Sequence, residues 1–132
     1  MLYPLVLMVL LTFIVGLVAA GTRYAGIRSG ELKFGYFKLM QGQDVSERVT
    51  VTTRSFNNMF EVPVLFYVAG VLYVSLGVES LSGLVLAWLF VLLRYVHAFI
   101  HLTYNHFLHR MLVFWAGFVC ALLLWIDLCF LG

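Results

Sequence analysis

Apolar residues run almost unbroken over positions 2–20, 56–78, 81–103 and 111–131, and polar residues collect between these runs. A helix rising about 1.5 Å per residue needs about 20 apolar residues to cross a hydrocarbon layer about 30 Å thick. Each run meets that length. Unpaired backbone groups are too costly in hydrocarbon, so each run predicts a transmembrane helix. The pattern describes one all-α integral membrane domain over residues 1–132, a four-transmembrane-helix bundle. Its first connection, about residues 21–55, is long, and the other two are short.

Composition narrows the picture further. Hydrophobic residues make up 64% of the chain and charged residues only 11%, too few polar groups to cover a water-soluble domain of this size. The first run is not expected to be a cleaved leader. A leader carries its positive charge ahead of the apolar stretch, whereas here Arg23 and Arg28 follow it. Cys120 and Cys129 both fall in the last run. At helical rise they stand about 13.5 Å apart along the axis, too far for a disulfide, so both are expected as packing residues.

Basic residues then orient the bundle. The first connection holds Arg23, Arg28, Lys33, Lys38 and Arg48, with Arg54 at its edge. The second, around residues 77–82, has no Lys or Arg and carries Glu79, and the third has Arg110 flanked by His106 and His109. Lys and Arg resist translocation. Connections one and three are therefore expected in the cytoplasm, with both termini on the other side. Tyr24, Phe34, Tyr36 and Phe37 lie among the cations of the long connection, a mixture suited to membrane lipid at headgroup level, with Arg23 or Arg28 as a further candidate ligand contact. A formal net charge of +2 gives no basis for a nucleic-acid partner.

Ionisable residues within a span are costly, and usually face a protein interior or a wet cavity. Arg54, Asn58 and Glu61 are spaced i, i+4, i+7, on one face of a helix. Arg94, His97, His101 and Tyr104 follow i, i+3, i+7, i+10 in the third run. Counted from the basic end, Glu61 lies about 9 Å deep and Arg94 about 13.5 Å deep. Two antiparallel polar stripes therefore meet at similar depth, with Arg110 opening the fourth run at the same face. They predict a polar-ligand pocket in the cytoplasmic half. The plainer alternative is a Glu61–Arg94 pair that fastens the bundle.

A metal site is not expected. His97 and His101 have ligand spacing, with His106 and His109 close behind. However, a transition metal wants three or four ligands, and Arg94 and Arg110 would repel a cation. Pro63 lacks a backbone N–H. It either bends the second span beside the polar stripe or sits in the first turn of a helix starting near Phe60. Asp127 is expected as an interfacial residue reaching water. Ala69 and Gly70 would permit close helix approach.

The run from Arg54 through Asn58 and Glu61 to Pro63 resembles the signature of the MAPEG family, the membrane-associated proteins in eicosanoid and glutathione metabolism. A second resemblance runs from Arg94 and His97 to Arg110. It is similar to the third span and following connection of the microsomal glutathione transferases in that family, which show Arg, His and a later Arg at the same separations. Four spans and the long first connection agree, so the resemblance covers nearly the whole chain. It implies a homotrimer with glutathione as co-substrate bound between subunits at the cytoplasmic side. Arg54, Asn58 and Glu61 would hold the charged ends of the peptide, and Arg110 would support its thiolate. Where those transferases carry a tyrosine seven residues after the third-span arginine, this chain has His101. The run from His97 to Asn105 resembles a bacterial branch, which implies an inner-membrane location. The implied activity is a glutathione-dependent transferase or peroxidase acting on lipophilic electrophiles that reach the site by partition. The alternative is a non-catalytic lipid-binding or partner-binding protein on the same scaffold.

Overall fold

The computed structural model describes residues 1–42 and 44–131. Helix α1 covers Leu2–Arg28, α2 Tyr36–Leu39 and α3 Glu47–Asn57. A 3₁₀ turn at Asn58–Phe60 follows, then α4 Val62–Ser75, α5 Leu81–Leu102 and α6 Phe107–Leu131. There is no strand among the described residues. Four segments are long and apolar enough to cross a membrane: Leu2–Arg28, Glu47–Ser75, Leu81–Leu102 and Phe107–Leu131. The protein is a multi-pass integral membrane protein. Leu2, Phe13, Leu17, Leu112 and Phe130 are among the many large apolar side chains exposed on its outside, as a lipid-facing surface requires and a water-facing one would not tolerate.

Two helices extend beyond their apolar runs. Helix α1 continues to Arg28, and the second span begins at Glu47 rather than Phe56, so the polar stretch expected as connection is partly helical. Its Thr-rich face explains this. Thr52 and Thr53 are buried against α1, where the Thr22 and Thr52 hydroxyls bond at 2.7 Å. Arg23 donates to Thr53 Oγ1 at 3.2 Å. Arg23 also lies over the Phe37 ring, 5.7 Å from its centroid, which ties the long connection to the same helix pair.

The core runs down the bundle axis through Met8, Leu11 and Val15 of α1, Phe66 and Ala69 of α4, Phe90 and Val91 of α5, and Leu124 of α6. Phe66 and Phe90 stack with centroids 4.5 Å apart. The small pair Ala69–Gly70 is used inside the subunit. A Cβ on Gly70 would stand 2.6 Å from Leu5 Cδ2, so α1 and α4 approach closely there. Interhelical hydrogen bonds add to this packing. Tyr95 donates to the Leu7 carbonyl at 2.9 Å, and Trp125 Nε1 to the Leu65 carbonyl at 3.1 Å. Cys120 is buried and Cys129 exposed, both as free thiols.

One end of the bundle is closed by a polar clasp. Ser80 caps α5 by accepting from the Gly83 N–H at 2.9 Å, a favourable N-cap. It also donates to Asp127 Oδ2 at 2.7 Å. Tyr73 donates to the same carboxylate oxygen and Ser82 to the other. Asp127, expected as a residue simply reaching water, instead joins α4, α5 and α6 and sits near the positive end of the α5 dipole. Met1 shares a cavity lining with Glu79 and Ser80, and Asp127 of α6 bonds Ser80, so the start of α1 and the last turns of α6 lie at this end with the α4–α5 turn. Replacing Asp127 with Ala removes the acceptor of three hydroxyls. Its unfolding free energy in mixed micelles should fall by about 2 kcal/mol, and Asp127→Asn, which keeps one acceptor oxygen, should fall by less.

Candidate functional site

The second span breaks at its polar stripe. Glu61 has φ −99 and ψ −105, outside the helical region, and α4 restarts at Val62 with Pro63 in its first turn. Pro63 therefore does both things foreseen for it. It begins a new helix, and it does so at a change of course beside the stripe. A broken helix in hydrocarbon must have its freed carbonyls satisfied. Arg94, reaching across from α5, donates through Nη2 to the Asn58 carbonyl at 3.0 Å.

Arg94 is among the most deeply buried side chains in the protein, 1% exposed. Its Nε and Nη1 have no hydrogen-bond partner, and no hydrogen bond joins it to Glu61. The fastening pair considered from sequence is thus replaced by a side chain-to-backbone bond.

In front of Arg94 opens a cavity of about 360 Å³ lined by residues of three elements. The break between α3 and α4 supplies Arg54, Asn57, Asn58 and Glu61. Helix α5 supplies His97 and His101, and α6 supplies Phe107, Arg110, Met111 and Phe114. Arg54 and Glu61 are exposed at the mouth, whereas His97 and His101 form a buried inner wall. The Nδ1 atom of His97 and both ring nitrogens of His101 have no partner. Three orphaned ring nitrogens on one cavity wall suit a wall that bonds to a polar ligand or to water. The two imidazoles lie edge to face at 5.8 Å. Among the described residues no group of three or more His, Cys, Asp and Glu converges to hold a metal.

Of the sequence candidates, Arg54, Asn58, Glu61, His97, His101 and Arg110 therefore share one cavity. Arg94 stands behind its wall and Tyr104 stands outside. Tyr104 is exposed, and its hydroxyl pairs with His109 Nδ1 at 3.1 Å. Helix α5 ends at Leu102, so position 104 no longer follows the helical spacing that placed it on the stripe. Arg23 is engaged with Thr53 and Phe37, away from the cavity. Sequence reasoning missed Asn57, Phe107, Met111 and Phe114. Asn57 completes an i, i+3, i+4, i+7 stripe with Arg54, Asn58 and Glu61 and could have been found from it. The α6 residues share that spacing around Arg110, but apolar residues in an apolar helix give no contrast.

The MAPEG family model matches residues 1–130 of the 132-residue chain. The chain belongs to the MAPEG family. No match was found among curated proteins or among solved structures. As a MAPEG protein the chain falls within membrane-bound, glutathione-related or eicosanoid metabolism, and members of the family generally use glutathione and typically form trimers. The cavity residues fit such a ligand. Glutathione carries two carboxylates, an ammonium and a thiol, and the wall offers two guanidiniums, one carboxylate and two amides. The capping role of Arg94 has a direct consequence. Arg94→Met should leave the Asn58 carbonyl without its charged donor, worth about 1.5–3 kcal/mol. Backbone amides of residues 60–62 and 64 should then exchange with deuterium at least about tenfold faster, while those of α6 change little.

Proposed function

We propose that the cavity binds glutathione as a co-substrate. On this reading the protein is a glutathione-dependent transferase or peroxidase acting on lipophilic electrophiles. The observation that carries it is the meeting of Arg54, Asn58, Glu61 and Arg110 on one cavity in a MAPEG chain. Arg54 pairs with a carboxylate of the peptide, Glu61 with its ammonium, and Asn58 with its amide backbone. The thiol then lies toward α6, against Arg110.

A free thiol titrates near pH 8.5 and is mostly un-ionised at neutral pH. A cation beside the sulfur favours the thiolate, which is the nucleophile. Arg110 supplies that cation from the first turn of α6, where the helix N-terminus adds its own positive potential. The electrophile arrives from the bilayer, into which it partitions.

The geometry of the mouth supports completion by a second copy. Arg54 and Glu61 are exposed on the single chain although they belong to a membrane span, and charged groups there need water or protein rather than lipid. We place glutathione between neighbouring subunits of a homotrimer, with the basic end of the bundle in the cytoplasm and both termini on the far side, in a bacterial inner membrane.

Titration of the purified, detergent-solubilised protein with glutathione, followed by the ultraviolet absorbance of the thiolate, tests the reading. A saturable signal is expected at neutral pH. Arg110→Ala should abolish that signal and lower the conjugation rate at least about tenfold, equivalent to about 1.4 kcal/mol of transition-state stabilisation, with a smaller change in glutathione affinity. Absence of any signal in the unmodified protein would favour instead a non-catalytic lipid-binding or partner-binding role on the same scaffold.

A further inference from the structure

Arg110 occupies an unfavourable place for a cation. It stands in the first turn of α6, where the helix dipole is positive, and it is only partly buried. A long, flexible side chain in that setting has no reason of its own to stay on the cavity wall. It is held by Asn105, whose Oδ1 accepts from Arg110 Nη1 at 2.6 Å.

Asn105 is itself fixed by the backbone. Its φ is 47, in the left-handed region that asparagine tolerates better than most non-glycine residues. Its N–H bonds back to the Ile100 carbonyl at 2.8 Å, and the Arg110 N–H bonds to the His106 carbonyl at 3.0 Å. The turn between α5 and α6 therefore ties the Asn105 backbone to the end of α5, while its side-chain oxygen reaches the Arg110 guanidinium at the start of α6.

The chemistry of this partner matters as much as its position. A carboxylate would bind Arg110 more tightly, but it would also cancel the charge that a neighbouring anion needs. An amide oxygen fixes the guanidinium and remains neutral. We propose that Asn105 is a positioning residue for Arg110, holding its guanidinium on the cavity wall with its full charge available to the thiolate of the bound co-substrate. This inference rests on the glutathione reading above. The step it serves is ionisation of the S–H bond, in which the electron pair stays on sulfur and the proton leaves to solvent.

Two substitutions separate the parts of the claim. Asn105→Gly keeps the left-handed backbone at no steric cost and frees the arginine. Asn105→Asp is nearly isosteric and keeps the arginine held, but neutralises it. The bound thiol would be titrated by ultraviolet absorbance in the full-length protein, in both variants and in Arg110→Ala. Binding of S-methylglutathione, which has no ionisable thiol, and thermal unfolding would be measured alongside.

Asn105→Asp is expected to raise the apparent pKa of the bound thiol by about one unit, so that the ratio of thiolate to thiol at a given pH falls about tenfold. Asn105→Gly should shift it in the same direction by less, and S-methylglutathione binding should change little in either. The inference is overturned if both variants titrate like the unmodified protein while Arg110→Ala does not. It is equally overturned if both lose S-methylglutathione binding together with thermal stability, since Asn105 would then serve the fold alone. An unmodified protein that gives no thiolate signal removes the glutathione reading itself, and this inference with it. That failure is seen before any variant is compared.

Discussion

The hydrogen bond from Arg94 to the Asn58 carbonyl, 3.0 Å long, is the constraint on which the site depends. In hydrocarbon a helix can break only where the freed backbone groups find partners, and a buried guanidinium is a strong donor for that purpose. The break lets the two halves of the second span take different neighbours. Helix α3 packs chiefly on α1 and α5, whereas α4 packs on α6 and α1. Where α4 gives way to α3, α6 loses its partner across the bundle, and the cavity opens among α3, α5 and α6. The pocket is thus a packing consequence of the break, and Arg94 makes that break tolerable. The two guanidinium nitrogens that Arg94 leaves unpartnered keep a positive charge behind the inner wall formed by His97 and His101.

The two ends of the bundle are built in opposite ways. At the end holding the α4–α5 turn, the two oxygens of Asp127 take hydroxyls from three residues. Gly83 leaves no space to spare there, because a Cβ on it would meet Tyr73 Oη at 2.8 Å and Asp127 Oδ2 at 2.9 Å. The basic end has open polar walls, and Ser55, Arg94, His97 and His101 keep buried atoms without partners. Each such atom, if left dry, costs about 1–3 kcal/mol. A bundle fastened tightly at one end can carry that burden at the other.

Much of this was legible in the sequence, because polar residues stand out in apolar helices. The four spans follow from the apolar runs, and the cluster of Arg54, Asn58, Glu61, His97, His101 and Arg110 follows from 3.6-residue periodicity applied to those exceptions. What was not legible depends on tertiary contacts or on contrast. Helix α3 begins in a stretch rich in Thr and charge, and its conformation is set by pairing with Thr22 and Arg23 of α1. Arg94 shares a helix face with His97 and His101, but periodicity does not say how far its side chain travels, and it passes behind the wall to a backbone carbonyl. Tyr104 was assigned by extending a helix that ends two residues earlier. Phe107, Met111 and Phe114 repeat the spacing of Arg110 without any change of polarity to reveal it.

The two unlike walls also bear on how such a cavity could work. The face built by α3 and α5 is polar throughout, with Arg54, Asn57, Asn58, Glu61, His97 and His101, whereas α6 contributes Phe107, Met111 and Phe114 around a single charge, Arg110. Under the proposed function, the peptide part of the co-substrate lies along the polar face and the apolar electrophile against the α6 face. Arg110 then stands where the two meet, so its charge acts on the sulfur and is not consumed in holding the ends of the peptide. Apolar neighbours strengthen that effect, because a charge acts over a longer range where water is scarce. They would also make a wandering or neutralised arginine more costly to the chemistry than it would be in a fully hydrated site. The neutral Asn105 clamp and the apolar setting of Arg110 are therefore parts of one arrangement. The first fixes where the charge sits, and the second sets how strongly it is felt.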